Sequence, residues 1–211
     1  MFLEEMSYPS GTRVLVWRLE EEASRLLSLC HEAGISCEDL TNLPDKRQRE
    51  KAAERLLLCH AFGYPVDLEH THQGAPYVKG LNLNISISHT QRLVALALDE
   101  QRVIGIDAEL VDRRQVLRVR DKFLNAVEQQ FIAPDDQFAH VVAWTAKEAI
   151  IKAERNSALD WTDGICLDPF SVDMSDHESI TFTAHCGGNC YCLQARPFQE
   201  HFLTIAAAVV P

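Results

Sequence analysis

An α+β fold of two similar halves in one chain is predicted by three observations. Helical stretches are followed by strand-rich stretches, and this order occurs twice along the 211 residues. Glycines and polar turns punctuate the apolar runs, and no low-complexity segment or flexible linker separates the two series. A chain of this length can bury a sizeable core, as one domain or as two halves of about 100 residues each. The expected halves are residues 1–111 and 112–211, each a β-sheet packed with helices. The boundary is placed in the polar stretch Asp112–Arg120. A pseudo-twofold arrangement puts the expected site in the cleft between the halves, because ligand sites favour domain interfaces.

The elements follow in order. Arg13–Leu19 alternates apolar and polar residues loosely and reads as a strand. Glu20–Ala33 reads as a helix ending at Gly34, a residue that serves well as a left-handed cap. Asp45 can cap a second helix running to Phe62, with Ala52, Ala53, Leu56, Leu57 and Cys59 clustered on one side and Gly63 as the stop. Leu83–Ser88, Leu93–Leu98 and Val103–Glu109 are β-rich, and Asp99–Arg102 forms the turn between the last two. In the second series, Asp121–Phe131 and His140–Ala153 read as helices. Phe170–Asp173, Ile180–Ala184, Tyr191–Ala195 and Phe202–Val210 read as strands, with Gly187-Gly188-Asn189 as a hairpin turn.

Composition narrows the function classes. Lys and Arg number 20 against 31 Asp and Glu, a net charge of −11, which opposes broad binding of nucleic-acid phosphates. No window reaches the ~18–20 apolar residues that a membrane span needs. Met1-Phe2-Leu3-Glu4-Glu5 lacks the basic and apolar regions of a signal peptide, and seven cysteines then read as reduced thiols. The expectation is a cytoplasmic globular protein without nucleic-acid or membrane partners.

Three stretches carry chemistry. In Ile104-Gly105-Ile106-Asp107-Ala108-Glu109, acids two apart share one face of an apolar strand, with Cα atoms roughly 6–7 Å apart. Such a pair repels unless a cation lies between, and Mg²⁺ suits oxygen donors; hydrated acids at a strand end are the plain alternative. In Trp144-Thr145-Ala146-Lys147-Glu148-Ala149-Ile150-Ile151-Lys152, Glu148 and Lys152 lie one helical turn apart. Taken alone they are an ordinary surface pair, but Trp144, Ala149, Ile150 and Ile151 make the helix substantially buried, where a charge pair needs a reason. A third carboxylate facing Asp107 and Glu109 would complete a metal site, and Lys152 could meet a phosphate. In Asn84–Thr90, Ser88 and His89 point to opposite faces of a strand, so a nucleophile–base dyad is disfavoured and anion binding favoured.

Together, Ser88-His89, the Asp107/Glu109 strand and the Trp144–Lys152 helix resemble the 4′-phosphopantetheinyl transferases of the surfactin-synthetase-activating type. Their order and separation match across roughly Lys46 to Phe170. Lys46-Arg47-Gln-Arg-Glu50 through Arg55 resembles the family's basic helix, and Gly74-Ala75-Pro76-Tyr77 its Gly-Lys-Pro-Tyr loop. The resemblance implies two pseudo-symmetric α+β halves and transfer of phosphopantetheine from coenzyme A to a serine of an apo carrier protein. It implies that Asp107, Glu109 and Glu148 hold Mg²⁺ or Mn²⁺, and that Glu148 is the general base. Lys152 would neutralise the departing phosphate. Lys46, Arg47, Arg55 and His89 would hold the 3′-phosphate or pyrophosphate, Ser88 would donate a hydrogen bond, and Pro76 and Tyr77 would lie along the adenine. Ala75 replaces the basic residue usual in that loop, and Glu154–Ala158 replaces glycines usual after the helix.

Other features stay secondary. Cys186, Cys190 and Cys192 with His185 invite a zinc reading, but no distant second ligand pair is evident, and buried thiols on a hairpin are favoured. Arg113, Arg114, Arg118, Arg120 and Lys122 form a basic run in an acidic chain; it is either a solvated helix face or the docking patch for an acidic carrier protein. The expected enzyme is a monomer. Its alternatives are another Mg²⁺-dependent pyrophosphate-cleaving enzyme, or a degenerate homologue that binds coenzyme A or carrier protein without turnover.

Overall fold

The structure is a computed structural model that describes residues 3–8, 11–174 and 179–209. Met1, Phe2 and the expected strand end at Val210 lie outside the described residues. The chain divides into two compact units, Met1–Glu100 and Gln101–Pro211. The division falls eleven residues before the expected 111/112 boundary, because the strand at Ile104–Leu110 is hydrogen-bonded into the second unit's sheet.

In the first unit, β1 (Leu3–Ser7) and β2 (Arg13–Arg18) precede helices α1 (Ala23–Glu32) and α2 (Asp45–Phe62). A short hairpin of β3 (Leu68–His70) and β4 (Pro76–Val78) follows, then β5 (Asn84–His89) and β6 (Leu93–Asp99). The four-stranded antiparallel sheet has the order β1-β2-β6-β5. Its inner face and the helices bury Leu15, Trp17, Leu26, Leu57 and Leu96. Gly63 ends α2 in the left-handed region at φ 78°, as its place in the sequence predicts. The α1 helix starts at Ala23 rather than Glu20. Three strands of this unit escaped the periodicity. β1 is an edge strand in which only Met6 is buried, and β3 and β4 are three residues each, too short to alternate visibly.

The second unit contains β7 (Ile104–Leu110), the single turns α3 (Gln115–Arg118) and α4 (Glu128–Phe131), and the long helix α5 (Gln137–Glu154). β8 (Ile165–Leu167), β9 (Ile180–Cys186), β10 (Asn189–Phe198) and β11 (His201–Ala208) complete an antiparallel sheet of order β7-β11-β10-β9-β8. α5 packs on β7 and β11, and its Val142, Ala146, Ala149 and Ile150 join the sheet's Tyr191, Leu193 and Phe202 in the core.

Two predicted elements are corrected. Asp121–Phe131 is not one helix but a 3-10 turn at Arg120–Lys122 followed by α4. Asn125 accepts from the Val127 and Glu128 amides at 2.9 Å while Glu128 accepts from the Asn125 amide at 2.8 Å. These reciprocal bonds restart the helix there. Phe170–Asp173 is not a strand; β9 pairs with β10 on one side and with β8 on the other. Phe170 buries its ring by stacking on Phe182, centroids 4.4 Å apart, rather than by entering a ladder.

Candidate functional site

The acidic residues gather within the second unit. Asp107 is 6% exposed on β7, and its Oδ1 accepts from Lys152 Nζ of α5 at 2.8 Å. The same ammonium donates to the Ile106 carbonyl at 2.9 Å, so Lys152 ties α5 to the strand. Glu109 is ion-paired with Arg113, whose guanidinium lies 5.0 Å over the Trp144 ring. Glu148 is half-buried. Burial raises its proton affinity above that of an ordinary carboxylate, Asp107 raises it further, and Lys152 and Arg113 oppose both. Asp107, Glu148, Lys152 and Arg113 therefore share one local field.

Two features set this geometry. A Cβ added to Gly105 would lie 1.8 Å from the Ala149 carbonyl oxygen, so strand and helix backbones meet where no side chain fits. One turn of strand beyond that contact stands Asp107, and next to Ala149 stands Glu148. Beneath α5, Lys147 is wholly buried and donates to Glu128 Oε2 at 2.7 Å, the Trp161 carbonyl at 2.6 Å and the Ile165 carbonyl at 2.9 Å. Glu128, equally buried, also accepts from the Leu167 amide. With every polar atom of the ammonium engaged, this pair fixes the roll of α5 and hence the direction of its neighbour Glu148.

Asp107, Glu109 and Glu148 are the three carboxylates expected to hold a hard divalent cation. Among the described residues no three His, Cys, Asp or Glu side chains stand grouped as a metal site. Lys152 and Arg113 hold the places beside Asp107 and Glu109. Next to them is a cavity of about 310 Å³ lined by Arg113, Val116, Phe123, Trp144 and Trp161, with Lys122 among its walls.

The predicted coenzyme A residues other than Lys152 lie in the first unit, and the structure brings only some of them together. Lys46 and Arg47 on the first turns of α2 and His89 at the end of β5 surround Glu50. Arg47 Nη1 bonds Glu50 Oε2 at 2.9 Å, His89 Nε2 lies 3.5 Å from the same oxygen, and Lys46 Nζ lies 3.7 Å from Oε1. Ser88 is 3% exposed and His89 is exposed, opposite faces as the strand requires. Arg55 is engaged elsewhere. Its guanidinium forks onto Asp39 at 2.6 and 2.9 Å and donates to the Ser36 carbonyl at 2.6 Å. This Asp39 pair raises Arg55 above its ordinary value. It lines a separate cavity of about 430 Å³ with Ile35, Leu40, Lys51, Val66 and His70. Pro76 and Tyr77 sit on β4, which packs beside β5; the Tyr77 hydroxyl donates to Glu69 across the hairpin.

The basic run divides. Arg113 serves Glu109, and Arg120 donates to Gln129 at 3.3 Å, whereas Arg114, Arg118 and Lys122 are exposed. The His185 segment forms a hairpin whose two-residue Gly187-Gly188 turn has φ 56° and 87°, with Cys190 directly opposite His185. Sequence reasoning missed Glu50, Gly105, Glu128 and the anchoring role of Lys147. The spacing from Asn125 to Glu128 was a usable signal, being that of a reciprocal helix cap.

Comparison with known proteins covers the second unit. The sequence profile of the 4′-phosphopantetheinyl transferase superfamily matches residues 103–209. The proteins described as 4′-phosphopantetheinyl transferase AcpT from Salmonella typhimurium strain LT2 and from Salmonella typhi are each 31% identical over 121 residues. That match takes in 53% of this chain and 62% of each relative, so the alignment spans under two thirds of the curated proteins. The matched stretch holds β7 with Asp107 and Glu109 and α5 with Glu148 and Lys152, and on that match the chain belongs to the 4′-phosphopantetheinyl transferase superfamily.

Proposed function

We propose that the protein moves the 4′-phosphopantetheine arm of coenzyme A to a serine hydroxyl of an apo carrier protein and releases adenosine 3′,5′-bisphosphate. The observation that carries this reading is the joining of Asp107, Glu148 and Lys152 on β7 and α5, inside the stretch that matches the family. In the reaction the serine oxygen bonds to the phosphorus attached to the pantetheine arm, and the pyrophosphate bond on its far side breaks. Glu148 takes the serine proton, a task that its raised proton affinity favours. Lys152 neutralises charge on the departing phosphate. Asp107, Glu109 and Glu148 would hold Mg²⁺, which supplies Lewis-acid neutralisation of the pyrophosphate when bound. The apolar cavity beside Arg113 suits the methylene and amide arm.

Lys46, Arg47 and His89 are proposed to hold the 3′-phosphate, with Ser88, Pro76 and Tyr77 lining the nucleotide. Exposed Arg114, Arg118 and Lys122 are proposed to orient an acidic carrier protein, with greatest effect at low salt. All seven cysteines are free thiols, which supports a reducing, cytoplasmic setting. Acidic and basic clusters both come from one chain, which supports a monomer as the working form.

The test is mass spectrometry of an apo acyl carrier protein incubated with this protein, coenzyme A and Mg²⁺. The expected result is a phosphopantetheine adduct on serine, and Glu148→Gln should slow its formation by at least ~10²–10⁴-fold. No adduct on any apo carrier protein offered would overturn the reaction; normal turnover by Glu148→Gln would overturn the base assignment alone.

A further inference from the structure

The basic cluster of the first unit contains a residue that phosphate binding alone does not explain. Glu50 is 3% exposed and lies beneath Lys46, Arg47 and His89, whose side chains are 63%, 49% and 42% exposed. A carboxylate under a phosphate site repels the phosphate. One of its oxygens, Oε2, is held by Arg47 at 2.9 Å with His89 at 3.5 Å. The other, Oε1, is buried and has no hydrogen-bond partner among the described residues; Lys46 Nζ, at 3.7 Å, is beyond bonding reach. A buried charged acceptor left without a donor is costly, and a ligand that brings the donor recovers that cost.

We infer that Glu50 Oε1 accepts a hydrogen bond from a ribose 2′-hydroxyl, so that the cluster selects a ribose carrying a 3′-phosphate beside a free 2′-hydroxyl. The inference rests on the reading that Lys46, Arg47 and His89 hold the 3′-phosphate. On such a ribose the two substituents occupy neighbouring carbons, as the cations and the open oxygen are neighbours here. The phosphate takes the cations and the hydroxyl takes the carboxylate, a charge-assisted bond about twice as strong as a neutral one. Lys46 is the group that must yield, and its long exposed side chain is held there by a single contact at 3.7 Å. A 2′-deoxyribose would leave Oε1 without its donor and keep only the repulsion.

The experiment is calorimetric titration of the protein with adenosine 3′,5′-bisphosphate, its 2′-deoxy analogue and adenosine 5′-monophosphate. The deoxy analogue should bind about 10-fold or more weakly than the ribonucleotide. Glu50→Met keeps the length but removes the acceptor, and should bind both bisphosphates alike. Equal binding of the two by the unaltered protein, or a preference for ribose that survives Glu50→Met, overturns the proposal. So does an equal loss of both ligands with their ratio unchanged, which would make Glu50 only an orienter of Arg47 and His89. Equal binding of the monophosphate and the bisphosphate would instead show that the cations hold no 3′-phosphate, and the underlying reading would fall with the inference.

Discussion

The acidic cluster on β7 and α5 and the basic cluster on α2 and β5 share one plan with opposite remainders. Each places a buried carboxylate beneath partly exposed cations: Asp107 under Lys152 in one, Glu50 under Lys46, Arg47 and His89 in the other. In the acidic cluster three carboxylates, those of Asp107, Glu109 and Glu148, stand against two cations, Lys152 and Arg113, so the formal charge of the five is negative. In the basic cluster a single carboxylate faces two permanent cations and a histidine, so positive charge is left over. On the proposed reading, that surplus would draw a cation to the first and an anion to the second. Their mountings differ as well. The acidic cluster stands on a helix pinned from below by the Lys147–Glu128 pair and from the side by Gly105, whereas the basic one occupies the exposed opening turns of α2.

The mounting can be broken first. Lys147→Met leaves Glu128 charged, buried and unmatched, and should cost about 3–5 kcal/mol in denaturant unfolding. Lys147→Met with Glu128→Gln should recover part of that loss. A single-variant loss below ~1 kcal/mol would show that the pair is not desolvated. Gly105→Ala should cost ~1–3 kcal/mol or more through the forced separation of β7 from α5, read as a lowered melting temperature. An unchanged melting temperature would refute the close approach.

The remaining predictions sharpen the contrast. Arg47→Ala should weaken coenzyme A binding about 10-fold, the loss of a charge-assisted bond. Arg55→Ala should leave that affinity within about twofold, because its guanidinium is given to Asp39. Equal losses from both would place Arg55 in the phosphate site after all. The smallest effect concerns His140 on α5, whose burial holds it below its ordinary value of 6.5, with Arg120 adding to the shift and the Asp136 carbonyl and carboxylate opposing it. The unfolded chain then takes up a proton that the folded one refuses, so stability is present above pH 6.5 and declines as pH falls below it. His140→Gln should flatten that decline in melts run across the range, and an identical slope would remove His140 as its source.

Much of this was legible in the chain because the residues concerned are local or lie at fixed spacing. Asp107 and Glu109 share one face of a strand and Glu148 and Lys152 share a helical turn, both from period alone, and Gly63 stops a helix because glycine readily adopts the left-handed conformation. Glu50, Glu128 and Gly105 were not legible, since their roles arise from partners elsewhere. Glu128 meets Lys147 from 19 positions away, and Gly105 matters only because Ala149 lies against it. Arg55 was grouped with Lys46 and Arg47 through the resemblance of their helix to the family's basic helix, yet the loop bearing Ser36 and Asp39 engages it. The short strands β3, β4 and β8 failed for want of length, and Phe170 mimicked a strand because stacking also buries an aromatic ring.

The Lys147 ammonium also bears on how the second unit assembles. Its three acceptors lie 19, 14 and 18 residues away along the chain, so each contact closes a short loop at modest entropic cost. Half-made, however, the arrangement is penalised, because an ammonium stripped of water with one acceptor missing is worse than one left hydrated. The turn at Asn125–Glu128, helix α5 and the Trp161–Ile165 loop must therefore arrive together or not at all. That makes the segment a single cooperative opening unit, whose amides should exchange with solvent as one group and not helix by helix.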